Sequence, residues 1–231
     1  MARNMLHPMF PDAELIRIET SNESGSGAVD MEVSGRRFEE VSKILFAAQS
    51  DIIVDIGSSN LEEVRAGLRR LGDAHEDVDL WILPCMPDEK MVKDTIKTMR
   101  ELVSIGVDPW KIVALKNKVR NVDEEMDETF AMLSLSCEAL GARFIDTPVL
   151  DLSVYSAIAS VRAATIDSLV DDTTDYRSLS QEAFVAGDSQ AAEAAIAKEY
   201  LRKNAKQGYI NLQAVRSEIF GRAKAAQIAA A

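Results

Sequence analysis

The side chains in this chain best placed to do chemistry are acids and amides that follow short apolar runs. Asp55 and Gly57 end the run DIIVDIG from Asp51 to Gly57, Glu19 ends ELIRIE from Glu14, and Asn117 follows the apolar run from Lys111 to Leu115. Asn22, the Pro84 to Pro87 step and the Ser58-Ser59-Asn60 step occupy the same kind of place. In an open parallel sheet, ligands bind beyond the carboxyl ends of the strands, so these positions share one candidate edge. A carboxylate at the end of a buried strand offers hard oxygen to Mg²⁺ held through water, and a nearby glycine lets a backbone amide approach a phosphate closely. Asn117 has the donor and acceptor needed to meet an adenine edge. Each position also has a plainer role. An acid followed by x-Gly caps or solvates a loop, Asn forms turns, two prolines stiffen a strand-to-helix turn, and Ser58 to Asn60 cap the helix that follows.

Other chemistries find less support. No Ser-His-Asp or Cys-His order is present, and the two histidines lie in polar segments, His75 within DAHED as a solvated loop residue. There is no GxxxxGK[ST] and no GxGxxG. Cys85 and Cys137 have no CxxC spacing, which argues against zinc and against a disulfide framework and makes both packing residues. A formal net charge of −12 disfavours direct, non-specific DNA binding by the whole surface, leaving only a local basic face on the C-terminal helices for such a contact.

The elements that position these residues are legible in the periodicity. Strands are expected at Glu14 to Glu19, Asp51 to Gly57, Asp79 to Leu83, Lys111 to Leu115 and Arg143 to Asp146, the last stopped before Pro148. Helices are expected at Phe38 to Ala48, Leu61 to Leu71, about Asp88 to Ile105, and Asp127 to Leu140 ending at Gly141. Thr20 to Gly27 reads as a polar loop, and the Lys111 to Leu115 strand runs into Lys116-Asn117-Lys118, after which a loop follows. From Leu152 the pattern turns helical, with Ser153 to Leu169, Gln190 to Asn204 and Leu212 to Ala225 as helices and Val170 to Asp188 as a polar connection. Val161, Ala164, Ile166 and Leu169 are the apolar positions expected to pack this section on the sheet.

Strands alternating with helices specify an α/β fold, a doubly wound and mostly parallel sheet flanked by helices, with a helical C-terminal section. The expected organisation is an α/β domain over residues 1–150 and a helical extension over 151–231 packed on the same domain. No apolar run could cross a bilayer and no secretory signal is evident, so the cytoplasm is the expected compartment.

Read together, MFPDAELIRIETSN, DIIVDIGSSNLEEV, HEDVDLWILPCMP with the downstream KDTI, and KIVALKNKV resemble consecutive blocks of the StbB plasmid-stability family over most of residues 2–150. That family is similar to the ParA and MinD partition ATPases. The resemblance implies a nucleotide-dependent homodimer using ATP and Mg²⁺, a plasmid-encoded partner protein of the stability operon, an indirect link to plasmid DNA, and an influence on conjugative transfer. It also implies that Asp55 and Gly57 are the Walker B and switch II positions, that Asp55 holds Mg²⁺ through water, that Asn117 faces the base, and that Glu19 is the acid ending the second strand.

Such proteins carry a first strand and a phosphate loop ending in GKT or GKS before a helix that continues into sequence like Ala2-Arg3-Asn4-Met5-Leu6. The expectation is therefore that this chain lacks the phosphate loop, through a late-assigned gene start or a real truncation, and is incomplete or inactive as an ATPase as it stands. Backbone physics favours the first, because the missing strand belongs beside the one ending in Asp55. Each buried backbone group left unpaired costs roughly 1–3 kcal/mol, against a total stability of about 5–15 kcal/mol. Two other classes compete: a non-enzymatic adaptor that binds a partner protein through the retained fold, and another doubly wound enzyme whose small substrate sits over Asp55.

Overall fold

The structure is a computed structural model that describes residues 6–10, 12–18, 31–33, 38–120, 124–160 and 165–230. Six parallel-paired strands form two sheets of three: β1 (Glu14–Ile18), β2 (Met31–Val33) and β3 (Ile52–Ile56) in the order β2-β1-β3, and β4 (Trp81–Cys85), β5 (Ile112–Val119) and β6 (Arg143–Leu150) in the order β4-β5-β6. Each strand is followed by a longer connection, most of them helical, as parallel pairing requires. These helices are α1 (Phe38–Ala47), α2 (Leu61–Leu71), α3 (Glu89–Ile105) and α4 (Glu124–Leu140). The C-terminal section is α5 (Ser153–Ser160), α6 (Ile166–Val170), α7 (Tyr176–Val185) and α8 (Ser189–Ala230). The α/β class and the helical C-terminal section expected from the sequence are both present.

The second sheet is covered on both faces. β5 alternates, with Ile112 and Ala114 on one side packing with Cys85, Met99, Phe130, Leu133 and Cys137 of the α3–α4 layer. Val113 and Leu115 on the other side pack with Val154, Ile166, Leu212, Val215 and Ile219 of the C-terminal helices. Ile166 is buried and Leu169 packs at the rim of that cluster, while Val161 and Ala164 lie outside the described residues. Burial raises both thiols, Cys137 to about 12, which suits inert packing residues. The first sheet packs α1 and α2 against β1 through Phe38, Val41, Val64 and Leu68. Contact there is close: a methyl group on Gly67 would lie 2.6 Å from the Phe38 ring, so glycine is kept in mid-helix despite its poor propensity.

Two features link the halves. The Trp81 side chain packs against both the β1–β3 core and the α3–α4 core. The buried Arg65 of α2 reaches α3, donating to Thr98 Oγ1 at 3.2 Å and lying 2.7 Å from Glu101 Oε2, with Glu62 Oε1 at 2.8 Å.

Several boundaries differ from the periodicity reading. β5 runs through Lys116-Asn117-Lys118 rather than ending at Leu115, and β6 runs through Pro148 to Leu150. A register irregularity between Leu115 and Val119 absorbs the extra length, with Lys118 at φ +55°. β4 includes Pro84, tolerated because β4 is an edge strand. The expected connection at Val170 to Asp188 contains α7, and the two expected last helices are one 42-residue helix, since nothing between Asn204 and Leu212 breaks it.

Candidate functional site

The carboxyl ends of β1 and β3 meet at one carbonyl. Ile18 O, the last acceptor of β1, receives the Gly57 amide at 3.2 Å and Asn60 Nδ2 at 3.3 Å. Asn60 is fully buried, and its Nδ2 also lies 3.2 Å from Ser59 Oγ. It stands at the N-cap position of α2, yet its side chain turns to β1 rather than capping the helix. Its Oδ1 is buried with no hydrogen-bond partner among the described residues.

Asp55 sits opposite Arg17 in the β1–β3 register, with Arg17 Nε 4.0 Å from Asp55 Oδ2 and the carboxylate side chain 24% exposed. This cross-strand pair puts a cation beside the carboxylate proposed for metal. Gly57 has ordinary extended backbone, φ −62° and ψ 142°. Its lack of a Cβ therefore leaves room beside Asn60 and Ile18, each 3.4 Å from where a Cβ would stand, rather than permitting a special conformation. Its amide is already engaged by Ile18, so approaching a phosphate would require that bond to open.

The other candidates are scattered along the same side. Pro84 is exposed near the end of β4, where it pairs in register with Leu115. Asn117 is not on a loop but inside β5, 1% exposed and in register with Val149, which withdraws it from a base lying in an open cleft. Lys116, also buried, lies with its Nζ 5.4 Å from the centroid of the Phe144 ring. Glu19 and Asn22 lie outside the described residues. The structure thus brings Asp55 and Gly57 together with Asn60, expected from the sequence at this strand end and as a helix cap, and with Arg17, which the sequence did not single out. Arg17 was visible as the polar position within ELIRI, but its pairing with Asp55 needs the β1–β3 register.

The strand order adds a second observation. β3 ends one sheet and β4 the other, although they are consecutive strands joined through α2, the connection usual between parallel strands of one sheet. All five residues of β3 are only half-buried, though four are aliphatic. Near the β4 side of the break, Trp81 Nε1 is buried with no hydrogen-bond partner among the described residues, as Asn60 Oδ1 is near β3. Other buried polar atoms also lack a partner among the described residues, Arg65 Nε in α2 and Tyr155 Oη in α5, so these two do not mark the break on their own.

Asp55 offers one part-exposed carboxylate, beside Arg17, to an ion such as Mg²⁺ that keeps several waters and takes one or two carboxylates with substrate phosphates. Among the described residues no group of three or more His, Cys, Asp or Glu is gathered for a metal. No lysine or glycine-rich turn among the described residues cradles phosphate at this edge, so the residues present fit the ion better than the nucleotide. Among the described residues no helix is long and apolar enough to cross a membrane. The chain matches no known protein-family model, and no curated protein is significantly similar to it.

Proposed function

We propose that this chain is a plasmid-stability protein of the StbB type, related to ParA-like partition ATPases, whose nucleotide site is completed by one further parallel strand carrying a phosphate loop. The observation that carries the reading is the break between β3 and β4. It falls beside the strand ending in Asp55, where the resemblance puts the phosphate-loop strand. One strand between them would join the sheets into a single seven-stranded one and give the half-buried β3 a partner on its open side. In that assembly Asp55 would hold Mg²⁺ through water, and ATP, the homodimer and the stability-operon partner follow from the same resemblance.

The chain as it stands favours a second, non-enzymatic reading, that of an adaptor keeping the fold and binding a partner protein. The Gly57 amide is bonded to Ile18 O and the Asn117 side chain is buried, and the resemblance assigns both to nucleotide.

Calorimetry with Mg-ATP tests both readings on two proteins: this chain, and the chain extended by translating the DNA upstream of Met1 in frame. Little or no heat is expected from the first, and saturable binding from the second, with Asp55→Asn lowering turnover of the extended protein severalfold without lowering its melting temperature. Micromolar ATP binding by the unextended chain would overturn the proposal. An extension that encodes no phosphate loop, or that leaves ATP unbound, would leave the adaptor reading in its place.

A further inference from the structure

The second sheet carries two unlike surfaces on its opposite faces, and each is what the other lacks. On the α3–α4 side, a groove of about 550 Å³ is lined by α3, with Lys93, Lys97 and Arg100 beside the acid Glu101, and by Met132 and Ser136 of α4. Lys90, Lys93, Lys97 and Arg100 are spaced three, four and three residues apart, so they form one exposed stripe along the helix. Three acids of the same helix offset part of this charge: Glu89 pairs with Lys93 at 2.5 Å, Glu101 with Lys97 at 3.8 Å, and exposed Asp94 lies one turn from Lys90 and Lys97. That leaves Arg100 with no ion pair among the described residues and the stripe one cation in excess. Across the groove Met132 is 53% exposed. A cationic ridge beside an exposed apolar side chain is unusual on a chain of net charge −12.

On the other side, α7 and α8 form a helical hairpin that packs outward from the sheet. Its tip carries Phe184 and Val185, 76% and 89% exposed, just before the tight turn at Gly187 (φ +76°). Acids surround them: Glu182, Asp188 and Glu193 are all exposed, and no lysine or arginine lies between Arg177 and Lys198. An exposed apolar pair flanked by carboxylates is complementary in sign to a groove of exposed Met edged by Lys and Arg.

We propose that the α7–α8 tip of one molecule docks into the α3–α4 groove of a second copy of this chain. Because tip and groove lie on opposite faces of the β4–β6 sheet, the contact is head-to-tail and leaves each pair with one free tip and one free groove. Two patches this small make a weak interface, at the low end of about 1,200 Å² or less, and its charge component is screened by salt. The contact needs no nucleotide and stands or falls apart from the ATP reading.

Sedimentation velocity on the full chain, without nucleotide, tests it. The sedimentation coefficient is expected to rise with concentration at low salt and to fall back toward the monomer value at about 0.5 M salt. Phe184→Glu removes the tip and Met132→Glu spoils the groove; both positions are exposed, so both variants should melt like the parent while associating at least about tenfold more weakly. Mixing the two variants restores one intact tip and one intact groove, so the mixture should form dimers and stop there. A parent that stays monomeric at all concentrations, or self-association that survives both substitutions, would overturn the proposal. So would a mixture of the variants that remains monomeric while the parent associates, since that result indicates a face-to-face contact instead.

Discussion

The two sheets have the same strand number and direction but differ in how completely they are enclosed. In the second sheet, β5 is central, six of its eight residues in succession are buried, and both faces are covered by helices. Its outer strand β6 is sealed by side chains of α8. Asn211 Oδ1 accepts the Leu150 amide at 3.1 Å, its Nδ2 donates to Pro148 O at 2.9 Å, and the Glu218 carboxylate accepts the Asp146 and Thr147 amides at 3.0 and 2.9 Å. In the first sheet, β3 is half-buried along its whole length and ends the sheet. Across the break, β4 has no such side-chain seal on its backbone among the described residues. An exposed edge is a row of unmet donors and acceptors that invites another strand. The contrast teaches that edges are managed differently: β6 is capped by side chains of α8, β4 carries Pro84, which cannot donate to a further strand, and β3 is left half-buried and open among the described residues.

The sharpest test compares apolar truncations in the two sheets. Ile112→Ala in β5 should destabilise by about 2–5 kcal/mol in urea unfolding, since Ile112 is fully buried and the cavity cannot fill. Ile53→Ala in β3, half-buried and outside the three core clusters, should cost about 1 kcal/mol or less. Equal costs would break the comparison. A rise in the Ile53→Ala cost in the upstream-extended protein would sharpen it, because the added strand would bury that edge.

Next in size is the seal on β6. Asn211→Ala removes the partners of the Leu150 amide and the Pro148 carbonyl together and is expected to cost about 1–3 kcal/mol. Hydrogen exchange should quicken at Leu150 in this variant while β5 amides stay protected. Unchanged exchange at Leu150 would show that the seal contributes nothing.

The smallest effect concerns the loop before α7. Hydrogen bonds from Thr174, and from Tyr176 Oη at 2.6 Å, hold the Asp172 carboxyl down at about 2. A carboxylate with a lowered folded-state pKa stabilises above its unfolded value and loses that contribution as pH falls through the folded value. Asp172 should therefore titrate near pH 2 by carboxyl NMR, and local order at Tyr176 should be kept at pH 4 and lost toward pH 2. A midpoint near 4 would show that the loop bonds do not form in solution.

Much of the positioning was legible in the sequence because periodicity and punctuation are local. DIIVDIG, DLWIL and KIVAL fall on β3, β4 and β5, Asp88 caps α3 through the Met91 amide, and Gly141 follows α4 in a positive-φ turn. Asp55 and Gly57 stand at the end of a strand, as their place after an apolar run indicated. Phe46 reads as part of an apolar helix face yet is 81% exposed, because the face of α1 that packs is centred on Phe38 and Val41.

By itself the sequence determined the alternation of strand and helix, the helical C-terminal section, and which short segments bring an acid or an amide to a strand end, since each depends on neighbours within a few residues. Only the tertiary structure decided that Asn117 is inside β5, that Arg17 stands opposite Asp55, that Asn60 turns to Ile18, and that the parallel strands part between β3 and β4. The physical reason is that register and burial depend on residues far apart in the chain. Locally, polar Lys-Asn-Lys marks the end of an apolar strand, whereas β6, extending through Pro148, pairs with it and makes Asn117 a buried strand residue.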